Sequence, residues 1–272
     1  MELGIFDMVL IRPTFAETLD AVLAAGFSTI QLDFASVGLA SMPADIPAAV
    51  AFDIRRETLL DGVTIAAVGG TYNMTHPDPR LRAEGLASLR AIAASCATIG
   101  TSVITLSTGT RDADNMWRRH QDNDSSDAWA DLIEAMTSAL RIADEFDVVL
   151  AFEPEPANVA SSATRARALL DQLPHPRLKI CFDAANIAAS DLTRDPKVVL
   201  NEAFALLGDE IVTAHGKDIT AEGEFCAAGT GIVPWPFCVQ RFAEVGYQGP
   251  LVLHSLLESD IATARIAIEA IA

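Results

Sequence analysis

The chain is poor in basic residues. Its 272 residues include 19 lysines and arginines against 37 aspartates and glutamates, which gives a formal net charge of -18. A chain this acidic repels phosphate backbones and anionic lipid surfaces. The nearest approaches to a basic patch are the pairs Arg55-Arg56 and Arg118-Arg119, and both stand beside acidic residues. We therefore expect no nucleic-acid partner and no binding to a membrane surface.

Long apolar runs and paired cysteines are also missing. No apolar stretch approaches the roughly 18 residues of a membrane span, and the N-terminus MELGIFDM lacks the charged-then-apolar layout of a signal peptide. The four cysteines form no C-x-x-C pair and lie mostly in apolar surroundings, as reduced, buried thiols do. These absences predict a cytoplasmic protein without disulfides or a zinc finger.

What the sequence does contain is a regular alternation of short apolar, β-rich runs with longer segments of helical periodicity. The predicted strands cover residues 3–10, 28–34, 63–69, 102–108, 148–153, 178–183, 210–215 and 250–254. Eight such units in 272 residues match the size and rhythm of a (β/α)8 TIM barrel. No linker or low-complexity segment interrupts the alternation, so we predict a single domain over residues 1–272.

A doubly wound open sheet is the main alternative fold. It should show a phosphate-binding G-x-G-x-x-G after its first strand. Here the first predicted strand is followed by IRPTFAET, which contains no glycine. The barrel is therefore favoured, and in a barrel the chemistry belongs at the C-terminal ends of the strands.

Four consecutive predicted strands end in a residue that can bind a metal. These residues are Glu153, Asp183, His215 and His254. Each alone has a structural explanation, such as a helix cap, a solvated carboxylate or a packed histidine. Because the ends of neighbouring strands converge at one mouth of a barrel, their joint occurrence favours a metal site.

Loops on the same side supply candidates for substrate binding. Asn73 and His76 follow the third predicted strand, Trp117 and His120 lie in the long loop after the fourth, and Lys217 follows His215 closely. Trp117 is equally explained as a hydrophobic anchor of its loop, and asparagines in loops commonly form turns. Long loops at a barrel mouth often cover the substrate.

The motifs FEPEP, CFDAAN, AHGKD, AAGTGIVPW and GYQGPLVLH resemble the sugar phosphate isomerase/epimerase family of xylose isomerase-like TIM barrels, over essentially the whole chain. The resemblance implies one divalent metal bound by Glu153, Asp183, His215 and the residue that ends the last strand. There His254 stands where the family has a second glutamate. Asn186 stands near the place of a substrate-binding histidine of some epimerases.

Two imidazoles and two carboxylates favour Mn, Fe, Co or Zn over Mg or Ca, and we predict Mn first and Zn next. The leading hypothesis is a metal-dependent isomerase or epimerase of a small carbohydrate or polyol, such as a keto-sugar or inosose. The metal would stabilise the enediolate formed by α-proton abstraction. Glu153 or His254 would act as the base, and Lys217 would hold substrate oxygens.

Several alternatives stay open. If His254 protonates a leaving oxygen, the same site becomes a dehydratase or a β-eliminating lyase acting on a keto-sugar, keto-inositol or 3-keto-glycoside. An endonuclease branch of the superfamily is opposed by the net charge, and a barrel that only binds a sugar is a further alternative. Whether His254 is a ligand or an acid/base, and whether the chain forms a homo-oligomer, is not decided by the sequence.

Overall fold

The computed structural model describes residues 1–271 and contains a closed barrel of eight parallel strands. Around the barrel the strands follow the order β1-β10-β7-β6-β5-β4-β3-β2. The predicted (β/α)8 barrel is confirmed. The barrel strands are β1 Leu3–Phe6, β2 Thr29–Leu32, β3 Thr64–Gly69, β4 Val103–Ser107, β5 Val149–Glu153, β6 Leu178–Asp183, β7 Ile211–Gly216 and β10 Leu251–Leu253.

A small antiparallel hairpin, β8 Asp218–Ile219 with β9 Phe225–Cys226, lies in the connection after β7. The carboxylate of Asp218 accepts hydrogen bonds from the backbone of Gly229 and Val233 and from the indole of Trp235. This one buried side chain therefore fixes the loop that leads into the next helix.

The first strand is shorter than the predicted 3–10. It ends at Phe6, and Asp7–Leu10 forms a 3-10 helix. The buried carboxyl group of Asp7 accepts hydrogen bonds from the backbone nitrogen of Asp33 at 2.9 Å and from the hydroxyl of Ser36 at 2.7 Å. These contacts tie the segment to the end of β2, whereas an apolar run alone reads as one continuous strand.

Nine helices in residues 1–271 accompany the strands, and none combines the length and hydropathy needed to cross a membrane. Local signals set their ends: Thr14 and Glu17 form a capping box at the start of α1, and Gly100 ends α3 with a φ of 96°. The helices are α1 Phe15–Ala24, α2 Ala48–Asp61, α3 Pro79–Ile99, α4 Ser126–Phe146, α5 Ala163–Gln172, α6 Ala184–Ala189, α7 Pro196–Leu207, α8 Trp235–Glu244 and α9 Ile261–Glu269.

Aromatic packing joins the barrel wall to its outer helices. Phe182 of β6 stacks on Phe204 of α7 with ring centroids 4.4 Å apart, and Phe204 meets Phe242 of α8 edge-on at 5.0 Å. All three side chains are buried. Burying each contributes roughly 1.5–3 kcal/mol, so this cluster stabilises the segment of barrel wall that carries the candidate site.

The strand order places the four predicted ligands on neighbouring strands. β5, β6, β7 and β10 are adjacent in the barrel, and Asp183 and His215 are register partners on β6 and β7. Because all eight strands are parallel, their C-terminal ends open at the same mouth.

Candidate metal centre

Four side chains converge at the floor of the barrel mouth. Glu153, Asp183, His215 and His254 each offer one ligand atom, and all four atoms lie within 4.8 Å of one another. The Oε2 of Glu153 is 3.0 Å from the Nδ1 of His215, and the Oδ2 of Asp183 is 3.0 Å from the Nε2 of His254. The structure thus brings together residues that the sequence separates by up to 101 positions.

Asp183 is anchored by the helix that follows it. Its Oδ1 accepts hydrogen bonds from the backbone nitrogens of Ala185 at 2.8 Å and Asn186 at 3.1 Å, which leaves Oδ2 for the centre. Burial alone would raise the pKa of Asp183, but the nearby Lys217 and His254 hold that pKa well below its usual range. Asp183 is therefore an ionised, fixed oxygen donor.

A chain of hydrogen bonds determines which nitrogen of His215 faces the centre. The hydroxyl of Thr105 donates to the carbonyl of Val68 at 3.4 Å, so its oxygen is free to accept from the Nε2 of Gln31 at 3.3 Å. The Oε1 of Gln31 then accepts from the Nε2 of His215 at 2.8 Å. With its proton on Nε2, His215 directs the lone pair of Nδ1 toward Glu153.

Glu153 is held from several sides. Its Oε1 accepts a hydrogen bond from the side-chain nitrogen of Asn186, and the ammonium of Lys217 lies 3.9 Å from the same oxygen. Burial works to raise the pKa of Glu153, but His215 and Lys217 outweigh it and keep the pKa below its ordinary value. Glu153 is thus a second ionised oxygen donor.

His254 is neutral at physiological pH. Burial, followed by the proximity of His215 and of the Lys217 ammonium, lowers its pKa to about 4. Its Nδ1 is 3.0 Å from the hydroxyl oxygen of Ser255, which can accept a hydrogen bond from a protonated Nδ1, so that Nε2 carries the lone pair. In that tautomer the imidazole is a nitrogen donor facing Asp183.

Lys217 brings a permanent positive charge to the edge of the cluster. Its ammonium lies 3.1 Å from the Oδ2 of Asp183 and 4.3 Å from the centre of the Phe225 ring. Burial would lower the pKa of Lys217, but the surrounding carboxylates, Asp183 first, keep the pKa above its ordinary value. Lys217 therefore stays charged beside the cavity.

The donor set fits a divalent metal. Ligand bonds to such an ion measure about 2.1 Å, so two neighbouring ligand atoms on one ion lie about 3 Å apart. Both close pairs in the cluster have this separation of 3.0 Å. Two carboxylates and two imidazoles also supply the mixed oxygen and nitrogen shell that transition metals bind.

The cluster opens into a cavity of about 790 Å³ at the barrel mouth. Of the residues predicted to bind substrate, Trp117 and Lys217 line this cavity. Several polar side chains that were not predicted from the sequence line it as well, among them Gln31, Asp33 and Glu155.

In the part of the chain that the structure describes, four residues predicted to bind substrate do not line the cavity: Asn73, His76, His120 and Asn186. Asn73 accepts from the backbone of Thr110 and braces two loops, and both ring nitrogens of His76 contact loop backbone. His120 accepts from the backbone nitrogen of Asp122 at 3.2 Å. Asn186 is buried behind Glu153, so it positions a candidate ligand. A direct contact of these four with substrate stays a prediction.

Glu155 is the most informative of the residues missed. Its Oε2 accepts from the side chain of Asn158 at 3.0 Å, and within residues 1–271 its Oε1 has no hydrogen-bond partner. Burial, followed by the charge of Glu153, raises the pKa of Glu155 to about 7. The sequence offered one sign that Glu155 belongs to the site: it lies two residues beyond the end of β5. Asp33 offered the same sign, because it directly follows β2.

The fold and the site together define a class: a (β/α)8 barrel with a carboxylate and imidazole cluster at the C-terminal mouth. Comparison with protein families agrees, since the family described as xylose isomerase-like TIM barrel matches residues 19–271. The chain belongs to this family. No curated protein sequence matches the chain.

Solved structures show the same fold. The 3-keto-D-glucoside 4-epimerase YcjR from E. coli superposes with a TM-score of 0.76 at 14% identity, covering 100% of this chain and 98% of that one. The probable 3-DHS dehydratase AsbF from Bacillus anthracis gives 0.75 at 13% identity, with 99% and 98% covered. The IolI protein with a bound zinc atom gives 0.75 at 12% identity, with 100% and 99% covered.

Proposed function

We propose that the chain, working as a single barrel domain over residues 1–272, is a divalent-metal-dependent isomerase or epimerase of a small keto-sugar or polyol. The observation that carries this proposal is the convergence of Glu153, Asp183, His215 and His254 within 4.8 Å, at the floor of a cavity with room for a substrate. The epimerase and the zinc-containing protein among the structural neighbours support it.

The four residues would hold the metal, with Mn proposed first, then Zn, and Co or Fe as further alternatives. When bound, such an ion acts as a Lewis acid that polarises a carbonyl and stabilises negative charge on its oxygen. Lys217 stands beside the same floor and would hold a substrate oxygen as charge develops on it.

Proton transfer falls to two carboxylates on one wall. Glu153 lies at the edge of the metal site. Glu155 lines the cavity, and no residue in 1–271 donates a hydrogen bond to its Oε1. We assign Glu155 as the second acid/base, because His254, neutral and directed at Asp183, serves as a ligand. A role of His254 as the acid/base stays the alternative, as the sequence left it.

The test follows proton exchange between keto-sugars or keto-inositols and D2O by NMR with metal-loaded protein. The expected result is exchange at the carbon next to the carbonyl in the wild type. Glu155→Gln should keep the metal and slow exchange at least about a hundredfold, while Glu153→Gln should weaken metal binding as well. Glu134→Gln, on the exposed face of α4, is the matched control.

Absence of exchange with every substrate, in a sample that holds stoichiometric metal, would contradict the proposal. Product that has lost water or an aglycone, seen by mass spectrometry, would instead establish the lyase alternative. Isomerisation and elimination share the first proton abstraction, so the exchange signal and the product mass answer separate questions.

A further inference from the structure

The cavity is larger than its polar floor requires. It measures about 790 Å³, whereas binding pockets of roughly 300–1,000 Å³ enclose drug-sized ligands. Three of the candidate ligands and Lys217 form its polar floor, and the fourth ligand, Asp183, is fully buried. A monosaccharide bound there would leave the outer part of the cavity unfilled.

That outer part has an apolar wall. We call it the apolar rim, and it consists of Met8, Val9, Met116, Trp117, Phe225 and Leu256. Trp117 is 58% exposed and Phe225 is 47% exposed, although large aromatic side chains are usually covered. Exposed apolar surface grouped around a cavity marks a place where a ligand binds.

The loop that carries Trp117 is held in place by its own hydrogen bonds. The Oδ1 of Asn115 accepts from the backbone nitrogen of Trp117 at 2.9 Å. Further along, the Oδ1 of Asn123 accepts from the backbone nitrogen of Arg111 at 2.8 Å and from the hydroxyl of Thr110 at 3.0 Å. The indole is therefore presented at the mouth by a braced loop.

The apolar rim continues outward. A second depression of about 580 Å³ shares Phe225, Ser255 and Leu256 with the cavity and adds Leu257, which is 71% exposed. A ligand that starts at the polar floor can thus extend along apolar surface well beyond the length of one sugar ring.

We propose that the natural substrate is a keto-glycoside with an aromatic aglycone: the sugar ring, which carries the ketone, binds at the floor, and the aromatic ring lies against the apolar rim. This inference rests on the proposed function for the sugar end only. Trp117 and Phe225 supply aromatic surface to the lining, with one face of the Phe225 ring against the ammonium of Lys217. Thioethers such as those of Met8 and Met116 make favourable contacts with aromatic ring edges. A flat aromatic group suits this wall better than a branched polar one.

The experiment compares two probes by calorimetry on metal-loaded protein: 4-nitrophenyl β-D-glucopyranoside and methyl β-D-glucopyranoside. The sugar is the same in both, so their ratio of affinities reports the aglycone alone. We expect the aryl glycoside to bind on the order of tenfold more tightly or better. Trp117→Ala should remove most of this preference, whereas Phe52→Ala, on the outer face of α2 with 64% exposure, should keep it.

Equal binding of the two probes, failure of both to bind, or a preference unchanged in Trp117→Ala would overturn the inference. The metal content of each sample is measured in parallel. A protein that takes up no metal but still prefers the aryl probe would refute the proposed function and support the inference about the apolar rim. Failure of the proposed function and failure of this inference are therefore distinguishable.

Discussion

Replacing Gln31 by leucine should weaken metal binding although Gln31 touches no metal. The substitution removes the acceptor that holds the proton of His215 on Nε2, 2.8 Å away. Because His215 is only 6% exposed, its N–H would be left buried without a partner, at a cost of about 1–3 kcal/mol. The ring escapes this cost by moving its proton to Nδ1, where it can donate to Glu153.

That change takes the lone pair away from the centre. Loss of an outer hydrogen-bond partner of a ligating histidine commonly lowers metal affinity about 10- to 100-fold, or about 1.4–2.8 kcal/mol. This range agrees with the cost of an orphaned N–H. We therefore expect Gln31→Leu to raise the dissociation constant for Mn²⁺ or Zn²⁺ by about 10- to 100-fold at pH 7.

Isothermal titration of each metal into the apo-protein measures the effect. Gln31→Glu keeps an acceptor for Nε2 and should retain the affinity, and Gln240→Leu makes the same replacement at an exposed site on α8. The reasoning is refuted if Gln31→Leu binds metal within about twofold of the wild type, or if the glutamate variant is as weak as the leucine variant.

Three further predictions concern charge and ligand identity. The pKa of Asp7 is raised by burial from 3.8 to about 8, so its folded carboxyl stays neutral while the unfolded one ionises, and stability falls as pH rises from about 4 to about 8. Asp7→Asn should make stability depend less on pH and raise the melting temperature at pH 8, with the hydroxyl of Ser36 accepting a hydrogen bond from the new amide. Wild type and variant melting temperatures that fall in parallel between pH 4 and pH 8 would contradict this prediction. Lys217→Met should raise the pKa of Asp183, since the ammonium 3.1 Å away is lost, and lower kcat while metal binding persists; unchanged kcat would exclude Lys217 from the reaction. His254→Glu should keep the metal, because a carboxylate replaces the imidazole as donor, whereas His254→Ala should lose most of it. Metal retained in full by a folded His254→Ala variant would speak against the ligand role.

The barrel and the four clustered residues were predictable from the sequence because both depend on local signals. An apolar run followed by Glu153, Asp183, His215 or His254 predicts the end of a strand. In a parallel barrel the C-terminal ends of all strands lie at the same mouth. Their meeting follows from topology, which the repeated βα pattern supplies.

The remainder of the site depends on contacts that local sequence does not encode. Gln31 resembles any polar residue inside a strand, and its role appears only when β2 faces His215 across the barrel. Asn73 and His76 follow a strand as ligands do, but their loop folds against residues 110–113 and engages their polar atoms. Asp7 lies in a run whose apolar pattern predicts a strand, but the segment forms a 3-10 helix in which the side chain of Asp7 binds the backbone of Asp33.

The central claim is that the cluster at the barrel mouth is a metal site, and metal analysis tests it most directly. Protein purified without chelator is analysed by inductively coupled plasma mass spectrometry beside the Glu153→Ala/Asp183→Ala double variant. The account predicts about one equivalent of a transition metal in the wild type and a trace in the double variant, with both proteins folded. A wild type without metal, or equal metal in the two proteins, would contradict the account.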